Sequence, residues 1–149
     1  MTLTTDIAAA LKYTDILNDE GEPMMVYHHT NANFDRFDAS FLGRNTDDNA
    51  SSESWAATAH LGFWFNEGGD RNKLANTYDY QMACYLNIQN PYHIDCVNYL
   101  ALCLEVESAE DFRERLIEEG YDGIVVDYDE EFGGTSSVAF SDDQIIVIK

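Results

Sequence analysis

The chain has 149 residues, of which 45% are hydrophobic and 13% aromatic, enough for one folded domain with a single core. Its formal net charge is −20, from 28 acidic and 8 basic residues. Because this charge repels nucleic-acid phosphates and anionic lipid, it argues against a protein that binds nucleic acid or a membrane surface. It suits solubility, docking on a basic protein or mimicry of nucleic acid.

The cysteines and the N-terminus indicate the compartment. Three cysteines, an odd number without CxxC spacing, predict neither a zinc site nor a disulfide framework. The segment Met1 to Ala10 contains an aspartate and no basic residue, unlike a secretory signal. No apolar run reaches the length of a membrane span. We therefore expect a protein of the reducing cytoplasm.

The N-terminal part of the chain predicts a short helix followed by a strand. Thr5-Asp6 can cap an amphipathic helix that continues through Ile16, within an N-terminal segment of residues 1–22. A strand is expected over residues 24–28, directly behind a proline, because proline can open a strand but not lie inside one.

This strand runs into three polar residues, His28, His29 and Thr30. A polar triplet at the end of a buried strand is a common place for binding groups, because the scaffold holds them while their side chains face a cleft. The alternative is a surface turn, or a buried histidine with a satisfied hydrogen bond. Motifs further along the chain favour the binding site.

The middle of the chain predicts a loop, an aromatic strand, a helix and another strand. Residues 43–54 are almost wholly polar and predict a long surface loop. Gly62 then leads a short aromatic strand, where glycine allows close backbone approach. Helical spacing follows over residues 72–80, and a strand over residues 81–89 ends before Pro91.

The C-terminal part predicts one helix and three strands. An apolar segment over residues 98–103 precedes the helix. Ser108 opens the helix with a capping-box variant, Ser-Ala-Glu-Asp, and Gly120 ends it. The three strands are expected over residues 123–126, 137–140 and 145–148. An acidic, glycine-bearing loop over residues 127–134 connects the first two.

Together these elements predict a single α+β domain over residues 1–149, with several short, mostly antiparallel strands. They do not alternate as βαβ units. The chain lacks the GxGxxG and GxxxxGK[ST] phosphate loops, which excludes a Rossmann or P-loop enzyme.

Three motifs follow one another along the chain. The first is Tyr-His-His-Thr at residues 27–30, and the second is Gly-Phe-Trp-Phe at residues 62–65, followed by Ala-Asn-Thr-Tyr at residues 75–78. The third is Ser-Val-Ala-Phe at residues 137–140, ahead of Gln-Ile at residues 144–145. Their order and spacing resemble the ADP-ribosyltransferase superfamily, in the branch with a His-Tyr-Glu fingerprint and in its small phage and mobile-element type.

The resemblance covers residues 24–149 and implies an ADP-ribosyltransferase-like split antiparallel β-sheet core with flanking helices. It also implies that the chain binds NAD, held bent so that the bond between nicotinamide and ribose breaks through an oxocarbenium-like state. His28 would bind the adenosine ribose hydroxyls, the Gly62 backbone the nicotinamide amide, and Tyr78 would stack on the nicotinamide ring. The implied NAD-binding set is His28, His29, Thr30, Gly62, Phe63, Trp64 and Tyr78.

Two of these positions depart from the family pattern. His29 stands where the family has glycine, and adds bulk and a titratable group beside the cleft. Trp64 stands where the family has tyrosine, which keeps an aromatic wall but loses the hydroxyl. For Phe63, Trp64 and Tyr78 the alternative is ordinary core packing.

The third motif lacks the glutamate of the family. That glutamate normally stands four positions before the last aromatic of the strand, and counting back from Phe140 gives Ser136. Because the glutamate stabilises the positive charge that develops on the ribose, another acid or a water held by Ser136 must replace it for catalysis. The candidate acids lie in the neighbouring loop: Asp127, Asp129, Glu130 and Glu131. The alternative is that this loop is only a solvated acidic surface.

Two functions from different classes follow. The first is a mono-ADP-ribosyltransferase that modifies a basic protein acceptor, as a phage-type effector or inhibitor in the host cytoplasm. The second is a catalytically degenerate transferase fold that acts as an acidic inhibitor of a basic, nucleic-acid-binding partner. A metal site built on His28, His29, His60 and His93 is not expected, because adjacent side chains point apart on a strand.

Overall fold

The computed structural model describes residues 5–30, 58, 60–68, 80–129 and 133–148. Within this part of the chain, the helices are α1 (Thr5–Ala10), α2 (Val97–Cys103) and α3 (Ala109–Glu118), with a 3-10 helix at Asp142–Gln144. The strands are β1 (Val26–Thr30), β2 (Phe63–Asn66), β3 (Tyr80–Leu86), β4 (Pro91–Cys96), β5 (Gly123–Tyr128), β6 (Ser136–Ala139) and β7 (Ile145–Val147). The loop predicted over residues 43–54 and most of the helix predicted over residues 72–80 lie outside the described residues.

The strands form one mixed sheet in the order β4-β5-β6-β2-β1-β3-β7. Neighbouring strands are antiparallel except β4 and β5, which are parallel. β1 and β3 share five register pairs, whereas β1 and β2 share the single pair Tyr27–Asn66. The sheet therefore divides between β1 and β2 at a line that we call the seam. The α+β class and the mainly antiparallel sheet predicted from the sequence are confirmed.

The parallel pair differs from the sequence prediction. The predicted break before Pro91 is confirmed, because β3 ends at Leu86, but the strand that begins at Pro91 was not predicted. Because β4 lies at an edge of the sheet, the N–H that proline lacks is not needed there. The chain then crosses through α2 and α3, so that β5 runs parallel to β4. This crossover is a local βαβ-like unit that the element order did not reveal.

The N-terminal helix is shorter than the sequence predicts. It ends at Ala10 instead of continuing through Ile16. The Thr14 hydroxyl donates to the Leu86 carbonyl over 2.5 Å, and the Asp15 N–H donates to the Ile88 carbonyl over 2.6 Å. Hydrogen bonds to the end of β3 therefore replace the next helical turn.

The two later helices follow local sequence rules. The apolar segment after residue 96 forms α2, which buries Val97, Leu100 and Ala101. The prediction of α3 is confirmed, since the Ser108 hydroxyl accepts from the Asp111 N–H over 3.2 Å as an N-cap. Gly120 follows this helix with a φ of +99°, a conformation that glycine adopts without strain.

Two hydrophobic cores cover the two faces of the sheet. The first core includes Ile16, Val26, Phe63, Phe65, Cys84, Leu86, Ile88, Val125 and Ala139. The second core joins α2 and α3 to the sheet and includes Leu61, Val97, Leu100, Phe112, Leu116, Ile124, Val126 and Val138. Burial raises the pKa of the Cys84 thiol to about 12, because the thiolate is poorly solvated in the first core. No helix in the described part of the chain is long and apolar enough to cross a membrane.

Candidate active site

His28 lies on β1 at the seam. Its Nδ1 lies 2.8 Å from the Trp64 carbonyl oxygen, and its ring packs against Phe65 with 5.5 Å between ring centroids. Because a carbonyl oxygen only accepts hydrogen bonds, Nδ1 carries the hydrogen of this contact. The contact with β2 therefore fixes the orientation of the His28 ring.

The strand register distributes the candidate residues over both faces of the sheet. Tyr27 pairs with Asn66, and Asn66 pairs with Ser136, so these three residues share one face. Because side chains alternate along a strand, His28 and Ser137 lie on the opposite face. His28 and Ser136 therefore lie on opposite faces of the sheet, and a ligand that contacts both must reach from one face to the other.

Three buried polar side chains form a hydrogen-bonded network at the ends of β2 and β6. Ser136 Oγ donates to Asp129 Oδ2 over 2.7 Å and accepts from Asn66 Nδ2 over 3.0 Å. Each of the three residues is only 2% or 3% exposed. Asn66 Nδ2 also donates to the Gly133 carbonyl over 2.9 Å, which connects β2 to the loop after β5. We call Asn66, Ser136 and Asp129 the polar network.

The polar network brings one loop carboxylate, that of Asp129, into contact with Ser136. The loop closes through hydrogen bonds from the Asp129 N–H to Gly134 and from the Gly133 N–H to Asp129, over 2.8 and 2.6 Å. Asp127 instead lies near the end of β5 with its side chain exposed, and its carboxylate is 3.2 Å from Nδ1 of His93 on the edge strand β4. Of the described loop acids, Asp129 is thus the one that contacts Ser136.

The other two acids proposed from the sequence are Glu130 and Glu131, which lie outside the described residues, as does Tyr78. His29 and Thr30 end β1, where their register partners on β3 are Gln81 and Tyr80. The assignment of these residues to NAD binding or catalysis stays a prediction.

Gly62, Phe63 and Trp64 have clear positions in the fold. A Cβ atom at Gly62 would lie 2.4 Å from the Ala139 carbonyl oxygen, so glycine allows the chain to pass close to β6. Phe63 is buried in the first core. Trp64 is partly buried against the second core, and its Nε1 donates to the Thr58 carbonyl over 2.8 Å. Packing accounts for all three residues, and their assigned contacts with NAD stay predictions.

Sequence reasoning missed Asn66, although a signal was present. Asn66 is a polar residue at the end of a buried aromatic strand, which is the pattern that singled out His28 on β1. Its side-chain oxygen accepts from the Gly68 N–H over 2.7 Å, so both ends of the amide are engaged. Among the described residues, no group of three or more His, Cys, Asp or Glu side chains is arranged to hold a metal ion.

Two adjacent buried serines provide a test of the polar network. Ser136→Ala is expected to lower the free energy of unfolding by about 1–2 kcal/mol, because Asp129 and Asn66 each lose a buried hydrogen-bond partner. Ser137→Ala is expected to leave it unchanged or raise it slightly, because Ser137 is 2% exposed and its hydroxyl has no partner among the described residues. Urea denaturation measures both variants. Equal losses would contradict the network as the source of the difference.

The mixed seven-stranded sheet and its helices form an α+β domain that is consistent with the ADP-ribosyltransferase fold. The model of the family described as ADP-ribosyltransferase in polyvalent proteins matches residues 18–149, and the chain belongs to this family. The superfamily predicted from the sequence motifs is thereby confirmed, and its transferases use NAD as a substrate. No curated protein and no solved structure matches the chain.

Proposed function

We propose that the protein is a mono-ADP-ribosyltransferase that transfers ADP-ribose from NAD to a side chain of a protein acceptor. The observation that carries the proposal is the 2.7 Å hydrogen bond between Ser136 and Asp129. It supports the idea that Asp129 supplies the negative charge that the family obtains from a glutamate at the position of Ser136. The charge is then provided by a neighbouring loop and not by the strand itself.

NAD supplies the transferred group: the bond between nicotinamide and ribose C1′ breaks with its electron pair on nicotinamide, and an acceptor oxygen or nitrogen bonds to C1′ and releases a proton. Asp129 would stabilise the positive charge that develops on the ribose. Fixed groups of this kind are worth roughly 3–4 kcal/mol in a site that excludes water. Asn66 and Ser136 would hold the carboxylate in place.

The proposed binding of NAD relies on His28. Its Nε2 would accept a hydrogen bond from a ribose hydroxyl, while Nδ1 keeps its hydrogen bond to Trp64. His29, Thr30, Gly62, Phe63, Trp64 and Tyr78 complete the proposed NAD-binding set. This part of the proposal rests on the family motifs.

Replacing His28 with alanine is expected to weaken NAD binding about tenfold, since one hydrogen bond to the ribose and the fixed ring are lost. Tyr78→Ala is expected to weaken it by a similar factor, through the loss of stacking. Isothermal titration calorimetry with NAD measures the dissociation constants. His93→Ala is the matched control, because His93 is exposed on β4 at the far edge of the sheet. Absence of saturable binding by the wild-type protein would reject the transferase proposal.

The acceptor in this proposal is a basic protein. The net charge of −20 supports this, because it attracts basic proteins and repels nucleic acid and anionic membranes. We further propose a phage-type effector in the host cytoplasm, on the resemblance of the motifs to the phage and mobile-element type. Transfer from labelled NAD onto proteins of a cell lysate tests the acceptor class, with the expected label on basic proteins.

A second candidate function is favoured by Ser136 itself. A transferase fold that has lost its glutamate and carries a net charge of −20 is suited to act as an acidic inhibitor of a basic partner. In that case the buried Ser136–Asp129 contact has only a structural role. Calorimetry with NAD distinguishes the two functions, because a protein that acts only as an inhibitor is not expected to bind NAD.

A further inference from the structure

A cleft of about 950 Å³ lies beside the segment that follows α1, where it is lined by residues of both faces of the sheet. Its lining includes Asp15, Asp19, Glu67, His93, Thr135 and Ser137. The carboxylates of Asp15, Asp19 and Glu67 make no ion pair or hydrogen bond with other described residues. We call this feature the acidic cleft.

Ser137 provides a second and independent indication of a ligand. It is 2% exposed and lines the acidic cleft. Its hydroxyl has no hydrogen-bond partner among the described residues. A buried hydroxyl without a partner is unfavourable, and such groups in native proteins generally have a partner, a bound water or a function. A ligand with hydrogen-bond donors would satisfy both this hydroxyl and the unpaired carboxylates.

The charge and the spacing of these groups restrict the ligand. Uncompensated carboxylates repel the pyrophosphate of NAD, so the acidic cleft does not suit the nucleotide. These carboxylates do not form a metal site either, because no group of three or more His, Cys, Asp or Glu side chains that could hold a metal ion is found among the described residues. With the nucleotide and a metal ion excluded, the ligand class that fits these groups is an extended organic cation. The guanidinium group fits best, because its five N–H donors point in several directions within one plane and can reach separated oxygen acceptors.

We infer that the acidic cleft is a docking site for an arginine-bearing segment of a protein partner. An arginine side chain enters between the Asp15–Asp19 segment and Glu67, and hydrogen-bonds to these carboxylates and to Ser137. Asp129 is not among the residues that line the acidic cleft, and docking requires no NAD. The inference therefore goes beyond the transferase reaction and stands or fails separately from it.

The test measures binding of a fluorescein-labelled peptide of alternating glycine and arginine to the full-length protein, by fluorescence anisotropy and without NAD. The variant D15N/E67Q removes two charges from the acidic cleft without changing side-chain size. It is expected to weaken peptide binding about tenfold, the loss of one to two charge-assisted hydrogen bonds. Ser137→Ala is expected to weaken binding by about threefold with the fold intact.

The matched control is E114Q/E118Q, which removes the same number of charges from two exposed positions on α3, behind the second core. Unchanged peptide binding by this variant supports the acidic cleft. Equal weakening in both double variants would overturn the inference, because general charge attraction would then explain binding. A peptide with citrulline in place of arginine that binds as tightly, or spermidine that binds as tightly and displaces the peptide, would also overturn it.

Discussion

Asp129→Asn is expected to reduce turnover of NAD by about 10²–10³-fold while the protein stays folded. The substitution removes a fixed charge from the reacting centre, and loss of one such preorganised group typically costs a factor of this size. Asparagine has nearly the same shape and can still accept the hydrogen bond from Ser136 through its side-chain oxygen. The polar network is therefore retained without its charge, and NAD affinity is expected to change little.

Release of nicotinamide from NAD measures this effect without knowledge of the acceptor, because water can take the place of the acceptor. Asp127→Asn is the matched control, since Asp127 lies two residues before Asp129, at the end of β5, but contacts the exposed His93 on β4. It is expected to keep nearly full turnover. If Asp129→Asn is as active as the wild-type protein, Asp129 is not the catalytic acid.

Gly62→Ala is expected to lower the free energy of unfolding by about 3 kcal/mol, because it forces atoms into a packed region of the sheet. The new Cβ would lie 2.4 Å from the Ala139 carbonyl oxygen and 2.8 Å from Val138 Cγ1. The first contact is with backbone, which cannot move aside without shifting β6. Urea denaturation followed by circular dichroism measures the loss.

Gly120→Ala is the control for the effect of removing a glycine. Its Cβ would meet no atom within 4 Å, but the residue has a φ of +99°. The Gly120→Ala substitution is expected to lower the free energy of unfolding by about 1 kcal/mol, from backbone strain alone. Similar losses in both variants would contradict close packing as the reason for glycine at position 62.

Much of the fold was predictable because the signals are local. The N-cap at Ser108 and the stop at Gly120 directly flank the helix they define, and the aromatic run after Gly62 is itself the strand. The strand β4 was missed, because a proline that follows the end of one strand can also begin an edge strand. Which of these applies depends on the position of β4 in the sheet, which only the tertiary structure determines.

The candidate site was only partly predictable for a similar reason. His28 was found because a polar residue at a strand end is a local pattern. The choice of Asp129 among the loop acids depends on its contact with Ser136 and Asn66, and Asn66 and Ser136 lie 70 positions apart in the chain. No spacing rule connects them. The position of Ser137 in a cleft is likewise set by strand register and not by composition.

Because β1 pairs unequally with its two neighbours, the sheet resists separation less on one side of this strand than on the other. Separating β1 from β3 must break a ladder of five register pairs, whereas separating β1 from β2 must break one. A force that pulls the strands apart is therefore expected to separate β1 from β2 first. This is the line at which His28 contacts the Trp64 carbonyl. Because Val26 lies on one side of this line and Phe63 and Phe65 lie on the other, the first core opens together with it, and the contact that orients the His28 ring is lost in the same step.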